Sequence, residues 1–186
     1  MADYLTRSDY KVMYPADYQE IVLQKIAQGE AVFGWADFTI ASGADIYFQL
    51  KTGATRAHIY GREITTSSEE LTYSLYENPS LVDGTTAVDL KHLNRNMTSV
   101  DIPIDVFSDP TSVDLTGADQ IELDEVFTAD KKSSGTSGLA GSERVLAPNS
   151  DYIFSFTNPT NSTARVFAKF FFYFSSDRYP QRILDR

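Results

Sequence analysis

Two histidines, His58 and His92, are the only side chains here whose ordinary titration falls near neutral pH. His58 lies in an alternating, strand-like stretch and reads as a packing or surface residue rather than a general base. No G-x-S-x-G motif accompanies either histidine. With no cysteine there is no thiolate nucleophile, no disulfide framework and no zinc site built on sulfur. Carboxylates are plentiful, and glycoside cleavage needs only two at the right separation, but no stretch singles out such a pair. Asp83-Gly84-Thr85, Asp114, Asp119, Glu122 and Asp124 are the hard oxygen ligands from which a calcium site would be drawn. The D-x-[DN]-x-[DN]-G order is missing, so these acids read as solvated faces. The Gly/Ser run at 133–142 lacks the G-x-x-x-x-G-K-[ST] order of a phosphate cradle. Asn96-Met97-Thr98 and Asn161-Ser162-Thr163 match the N-glycosylation pattern, which matters only in a secreted chain. The expectation is a protein that uses no catalytic residue, no metal and no cofactor, and that works by shape.

Composition points the same way. The chain has 186 residues, a net charge of −10 and 42% hydrophobic residues, 13% of all residues being aromatic. That is enough for one domain with a full core. So acidic a surface repels phosphate backbones, so nucleic acid is not an expected partner. No run of about 18 apolar residues is present to span a membrane, and Met1–Arg7 lacks the apolar centre of a secretory signal.

The elements that would position any site are mostly strands. Tyr152, Phe154 and Phe156 alternate with Ile153, Ser155 and Thr157, the two-residue period of a strand. Asn158-Pro159-Thr160-Asn161-Ser162-Thr163 is turn chemistry. The return strand places Val166, Ala168, Phe170, Phe172 and Phe174 on one face and Arg165, Phe167, Lys169, Phe171 and Tyr173 on the other. Aromatics on both faces predict that part of the outer face is covered too, by a second sheet or another chain. Phe33 to Ile40, Ile46 to Lys51, Ala57 to Thr66, Glu70 to Tyr76 and Ile102 to Val106 read as further strands, punctuated by Gly43 and Gly53. Gln120 to Phe127 reads as a strand with Ile121, Leu123 and Val126 inward. One helix is predicted: Pro15 opens it, Asp17 and Glu20 complement its dipole, Tyr18, Ile21, Val22 and Ile26 form its stripe, and Gly29 is its C′ residue.

Residues 71–87 are echoed at 102–118 with a spacing of 31, down to Asn78-Pro79 and Asp109-Pro110. Two copies suit two equivalent hairpin arms of one sandwich rather than a solenoid. Leu93 to Thr98 reads as a polar crossover loop, and 131–142 as a surface loop flexible by composition. The division is an arm and helix at 1–30, a β-sandwich at 31–174 and a tail at 175–186. Residues 1–14 mix Tyr4, Tyr10 and Tyr14 with charges and show no clear period, which reads either as an extended arm that anchors an interface or as a simply disordered terminus; the locally basic tail carries Arg178, Tyr179 and Arg182. Tyr and Arg are enriched at binding hot spots, so these six are the candidate interface residues.

Several stretches together resemble a family. Leu75-Tyr76-Glu77-Asn78-Pro79, Val82-Asp83-Gly84-Thr85, Leu93-Asn94-Arg95-Asn96 and Phe107-Ser108-Asp109-Pro110-Thr111 occur in that order. A Gly/Ser-rich loop, Val145-Leu146-Ala147-Pro148-Asn149-Ser150-Asp151-Tyr152-Ile153-Phe154 and Thr157-Asn158 follow. Over roughly residues 45–174 this resembles tailed-bacteriophage virion proteins of the head decoration or cement type; Ser150 stands where that family often has threonine. The resemblance implies a jelly-roll-like antiparallel β-sandwich with one short N-terminal helix, assembled as a homotrimer on the capsid exterior. It also implies the major capsid protein as partner, capsid stabilisation as function, and assembly in the host cytoplasm. The alternative expectation is a receptor- or carbohydrate-binding module of a tail or fibre, which an exposed Trp35 in a concave groove would favour.

Overall fold

The computed structural model describes residues 15–96, 100–129 and 143–175. Helix α1 (Pro15–Ala27) ends where its sequence dictates. Gly29 takes φ 77°, its N–H reaches Ile26 O at 3.1 Å, and Glu30 N–H reaches Lys25 O at 2.9 Å. This is a Schellman closure with Gly29 at the left-handed position. Of the expected stripe, Ile21, Val22 and Ile26 are half-buried; the Tyr18 side chain lies outside the described set. Asn94 Nδ2 donates to Ala27 O at 3.1 Å, satisfying another of the last carbonyls.

Twelve strands follow among the described residues: β1 (Ala31–Ile40), β2 (Asp45–Thr52), β3 (Arg56–Thr66), β4 (Leu71–Glu77), β5 (Ser80–Val82), β6 (Leu90–His92), β7 (Ile104–Phe107), β8 (Thr111–Asp114), β9 (Asp119–Phe127), β10 (Arg144–Leu146), β11 (Asp151–Thr157) and β12 (Ala164–Ser175). They form two five-stranded antiparallel sheets, ordered β10-β3-β12-β1-β6 and β7-β2-β11-β4-β9, with β5 and β8 paired apart. The pairing is nested: β1 with β12, β2 with β11, β3 with β10, β4 with β9, and innermost β5 with β8. Successive pairs fall alternately in the two sheets, the topology of a jelly roll. The mainly β, antiparallel sandwich read from the sequence is what the chain forms.

The core is aromatic. Tyr152, Phe154 and Phe156 of β11 face Phe170 and Phe172 of β12, all buried. Phe154 stacks on Phe170 with ring centroids 4.4 Å apart, and Phe156 meets Phe38 and Phe48 edge to face, with Phe38 tilted on Phe48, all within 6.0 Å. Each such buried side chain stabilises the fold by about 1.5–3 kcal/mol relative to exposure. Asn158, fully buried, links three turns. Its Nδ2 donates to Ile40 O, Ala41 O and Ser162 O at 3.2, 3.1 and 2.8 Å. Its Oδ1 accepts from Thr160 Oγ1 at 2.7 Å and Ser68 Oγ at 3.3 Å.

Two local expectations are corrected. Val126 is 54% exposed while its neighbour Phe127 is buried. The β4–β9 register shifts between Tyr73 and Leu75 and again between Leu75 and Tyr76. A register shift changes which face a residue takes, and Glu122, not Val126, is turned inward. The Leu123 side chain lies outside the described set. The two repeat copies are likewise not equivalent arms: β4 sits inside its sheet, whereas β7 is at the edge. What they share is the β5–β8 pair, in which the second halves of both copies meet.

Candidate functional site

The residues that could do chemistry are used internally. His58 is buried, its Nδ1 2.5 Å from Glu143 Oε1, and its ring stacks on Tyr173 at 4.3 Å and 14°. The Tyr173 hydroxyl donates to the same carboxylate oxygen. His92 Nδ1 lies 3.0 Å from Gly29 O. Both histidines therefore pin chain segments together.

Of the acids from which a calcium site would be drawn, Asp83, Asp114 and Glu122 are held by partners of their own. Asp83 accepts from Lys51 Nζ at 2.6 Å and Gln49 Nε2 at 2.7 Å, which hold its carboxyl below the ordinary range. Asp114 Oδ1 accepts the Thr116 N–H at 2.8 Å. Glu122 lies inside the sandwich with its Oε1 2.7 Å from Arg62 and 3.2 Å from Arg144. Among the described residues no three His, Asp or Glu side chains converge as metal ligands would. Nor, among them, is any helix long and apolar enough to cross a membrane. Tyr4, Tyr10, Tyr14, Arg178, Tyr179 and Arg182 lie outside the described residues, as does the 131–142 loop.

What the structure does assemble is an aromatic face on the outside of the β10-β3-β12-β1-β6 sheet. Strand alternation turns Phe33, Trp35 and Asp37 of β1 and Phe167, Phe171 and Tyr173 of β12 outward. Register brings Trp35 opposite Lys169 and Phe33 opposite Phe171. Trp35 stacks on Phe167 at 6.1 Å, Phe33 meets Phe171 at 6.3 Å, and Tyr60 reaches both Phe171 and Tyr173 within 5.9 Å. Lys169 Nζ sits over the Phe33 and Phe171 rings at 4.8 and 4.5 Å, close enough for cation–π attraction.

Cover is uneven along this face. Tyr60 fills the Tyr173 end because β3 carries one extra residue there, between the partners of Phe171 and Phe172. Burial pushes the Tyr60 hydroxyl up to about 12. At the other end Trp35 is 52% and Phe167 36% exposed. Beside them Arg165 grips Asp37 with two hydrogen bonds, at 2.9 and 2.6 Å, and that grip lowers the Asp37 carboxyl. The sequence showed aromatics on both faces of β12, the signal for this surface, but not that β1 would extend it with Trp35. Compared with known proteins, the chain matches no family model and no curated protein.

Proposed function

We propose that this chain is a non-enzymatic virion structural protein that binds the capsid surface of a tailed phage and stabilises it. The observation that supports this reading is the Trp35–Phe167 end of the aromatic face. It is an aromatic, partly uncovered patch on the outer face of a sheet, and such patches mark interaction sites. Trp and Tyr are also the residues that anchor interfaces. A ligand that binds only the intact shell stabilises it by mass action, by about 2.7 kcal/mol per site at 100 times its dissociation constant. In this reading the major capsid protein is the partner, and the chain acts as a homotrimer on the capsid exterior. Particles stripped of the protein should lose DNA at lower temperature than complete ones, and adding it back should restore them. Equal robustness with and without it would refute the reading.

A second reading is a receptor- or carbohydrate-binding module of a tail or fibre. It is favoured by Trp35 standing at the lip of a cleft of about 550 Å³. Stripped particles that stay robust but no longer adsorb to host cells would decide for it.

A further inference from the structure

β1 is paired along its whole length with β12, but β6 covers only Val32, Phe33 and Gly34 on its other edge. Leu93 N–H donates to Ala31 O at 3.0 Å, so odd-numbered residues of β1 turn their backbone groups toward that edge. Beyond Gly34 the covering segment departs: Val88 N–H bonds Val106 O at 2.7 Å and Ala87 bridges Phe107, both on the opposite sheet. Trp35, Asp37 and Thr39 thus direct their backbone groups into the cleft, with no ladder partner among the described residues. Phe38, Ile46 and Phe48 form its apolar floor, with Asp89 and Lys91 at its rim. Among the described residues the outer edge of β9 also lacks a strand, but its sequence carries Asp119, Asp124 and Glu125 beside the buried Glu122, and charges, inward-pointing ones included, protect an edge against pairing. The β1 edge has apolar side chains beside it instead.

We propose that this edge is completed by strand addition from the N-terminal arm of a second copy, with Tyr10, Val12 and Tyr14 seated over Phe38, Ile46 and Phe48. At the arm's end Tyr10, Val12 and Tyr14 stand two residues apart, the spacing at which an added strand would present side chains to one face. Asp9 and Lys11 supply both charge signs for a rim that carries Asp89 and Lys91. Fourteen residues span up to about 46 Å when extended, enough to leave their own body. α1, which carries the arm, leaves Leu23 65% exposed and Ile21, Val22 and Ile26 half-buried; among the described residues the sandwich covers that stripe only in part, and a neighbour would complete it. The inference concerns self-association and does not depend on the capsid reading.

Trp35, the only tryptophan, reports on the cleft. The full-length chain should associate by sedimentation equilibrium, and Val12→Pro, which deletes an arm N–H, should dissociate it and red-shift Trp35 emission. The peptide of residues 1–14 added to Val12→Pro protein should reverse the shift saturably, while the peptide bearing V12P should bind at least about tenfold more weakly. Thr39→Pro should also dissociate, yet a mixture of Thr39→Pro and Val12→Pro chains should associate, since each supplies the half the other lacks. A monomeric wild-type chain overturns the proposal, even if Val12→Pro shifts the emission, because the arm then closes on its own body. Equal binding of both peptides, or a response to oligosaccharides and not to the peptide, overturns it as well.

Discussion

Arg62 Nη1 and Glu122 Oε1 meet at 2.7 Å inside the sandwich, the guanidinium from β3 and the carboxylate from β9. The pair therefore ties one sheet to the other across the core. Arg62 also lies over the Tyr73 ring, 5.2 Å from its centroid, and Arg144 approaches the same carboxylate from β10. Buried ion pairs rarely gain much over an apolar replacement, but removing one partner strands the other's charge. Glu122→Ala should lower stability in urea unfolding by about 3–5 kcal/mol, whereas Arg62→Leu with Glu122→Leu should recover most of that loss. An equal loss in the double variant would show that the pair adds net stability.

Asn158 holds three turns from one buried position. Asn158→Ala leaves the carbonyls of Ile40, Ala41 and Ser162 without their donor, and urea unfolding should show a loss of about 3 kcal/mol. Asn158→Asp should be worse still, because it removes the donors and buries a charge. A loss under about 1 kcal/mol for Asn158→Ala, the net worth of one ordinary hydrogen bond, would show that water replaces the network.

Asp109 accepts the N–H and hydroxyl groups of Thr85 and Thr86 at 2.7–3.0 Å, which bring its carboxyl down to about 2 from the ordinary 3.8. A depressed folded value means the contribution is fully present above the unfolded value and is lost as pH falls from about 4 to about 2. Asp109→Asn should flatten the acid limb of the stability profile in that window and leave its shape near neutrality unchanged. An identical acid limb in wild type and variant would remove Asp109 from the account.

Trp35 and Phe167 should separate binding from folding. Both are partly exposed, so Trp35→Ala with Phe167→Ala should cost the fold only about 1 kcal/mol of ring–ring contact. Co-sedimentation with stripped particles should nevertheless fall at least about tenfold, as for a hot-spot loss. Retained binding would place the contact elsewhere on the molecule.

Much of the architecture was legible because it follows from local chemistry. The period of two in 152–156 and 166–174 decides which side chains can share a face, and only burial of that face satisfies so many rings. Gly29 had to end α1, because the left-handed position after a helix disfavours a Cβ. The scarcity of histidine and the absence of cysteine restricted the available chemistry before any contact was known. Other features depend on residues distant in the chain. Val126 reads as inward until the β4–β9 register shifts, and nothing local to 120–127 encodes a partner's shift. Glu122 reads as a surface acid until Arg62 and Arg144 arrive from β3 and β10. Copies 31 residues apart look equivalent, yet one supplies a central strand and the other an edge, because position in a sheet is set by neighbours. Strand period places Trp35 and Phe167 on alternating faces but leaves open which face the other sheet will cover. The nested pairing turned these two outward side by side, because β1 and β12 could bury only one face each against β2, β11 and β4.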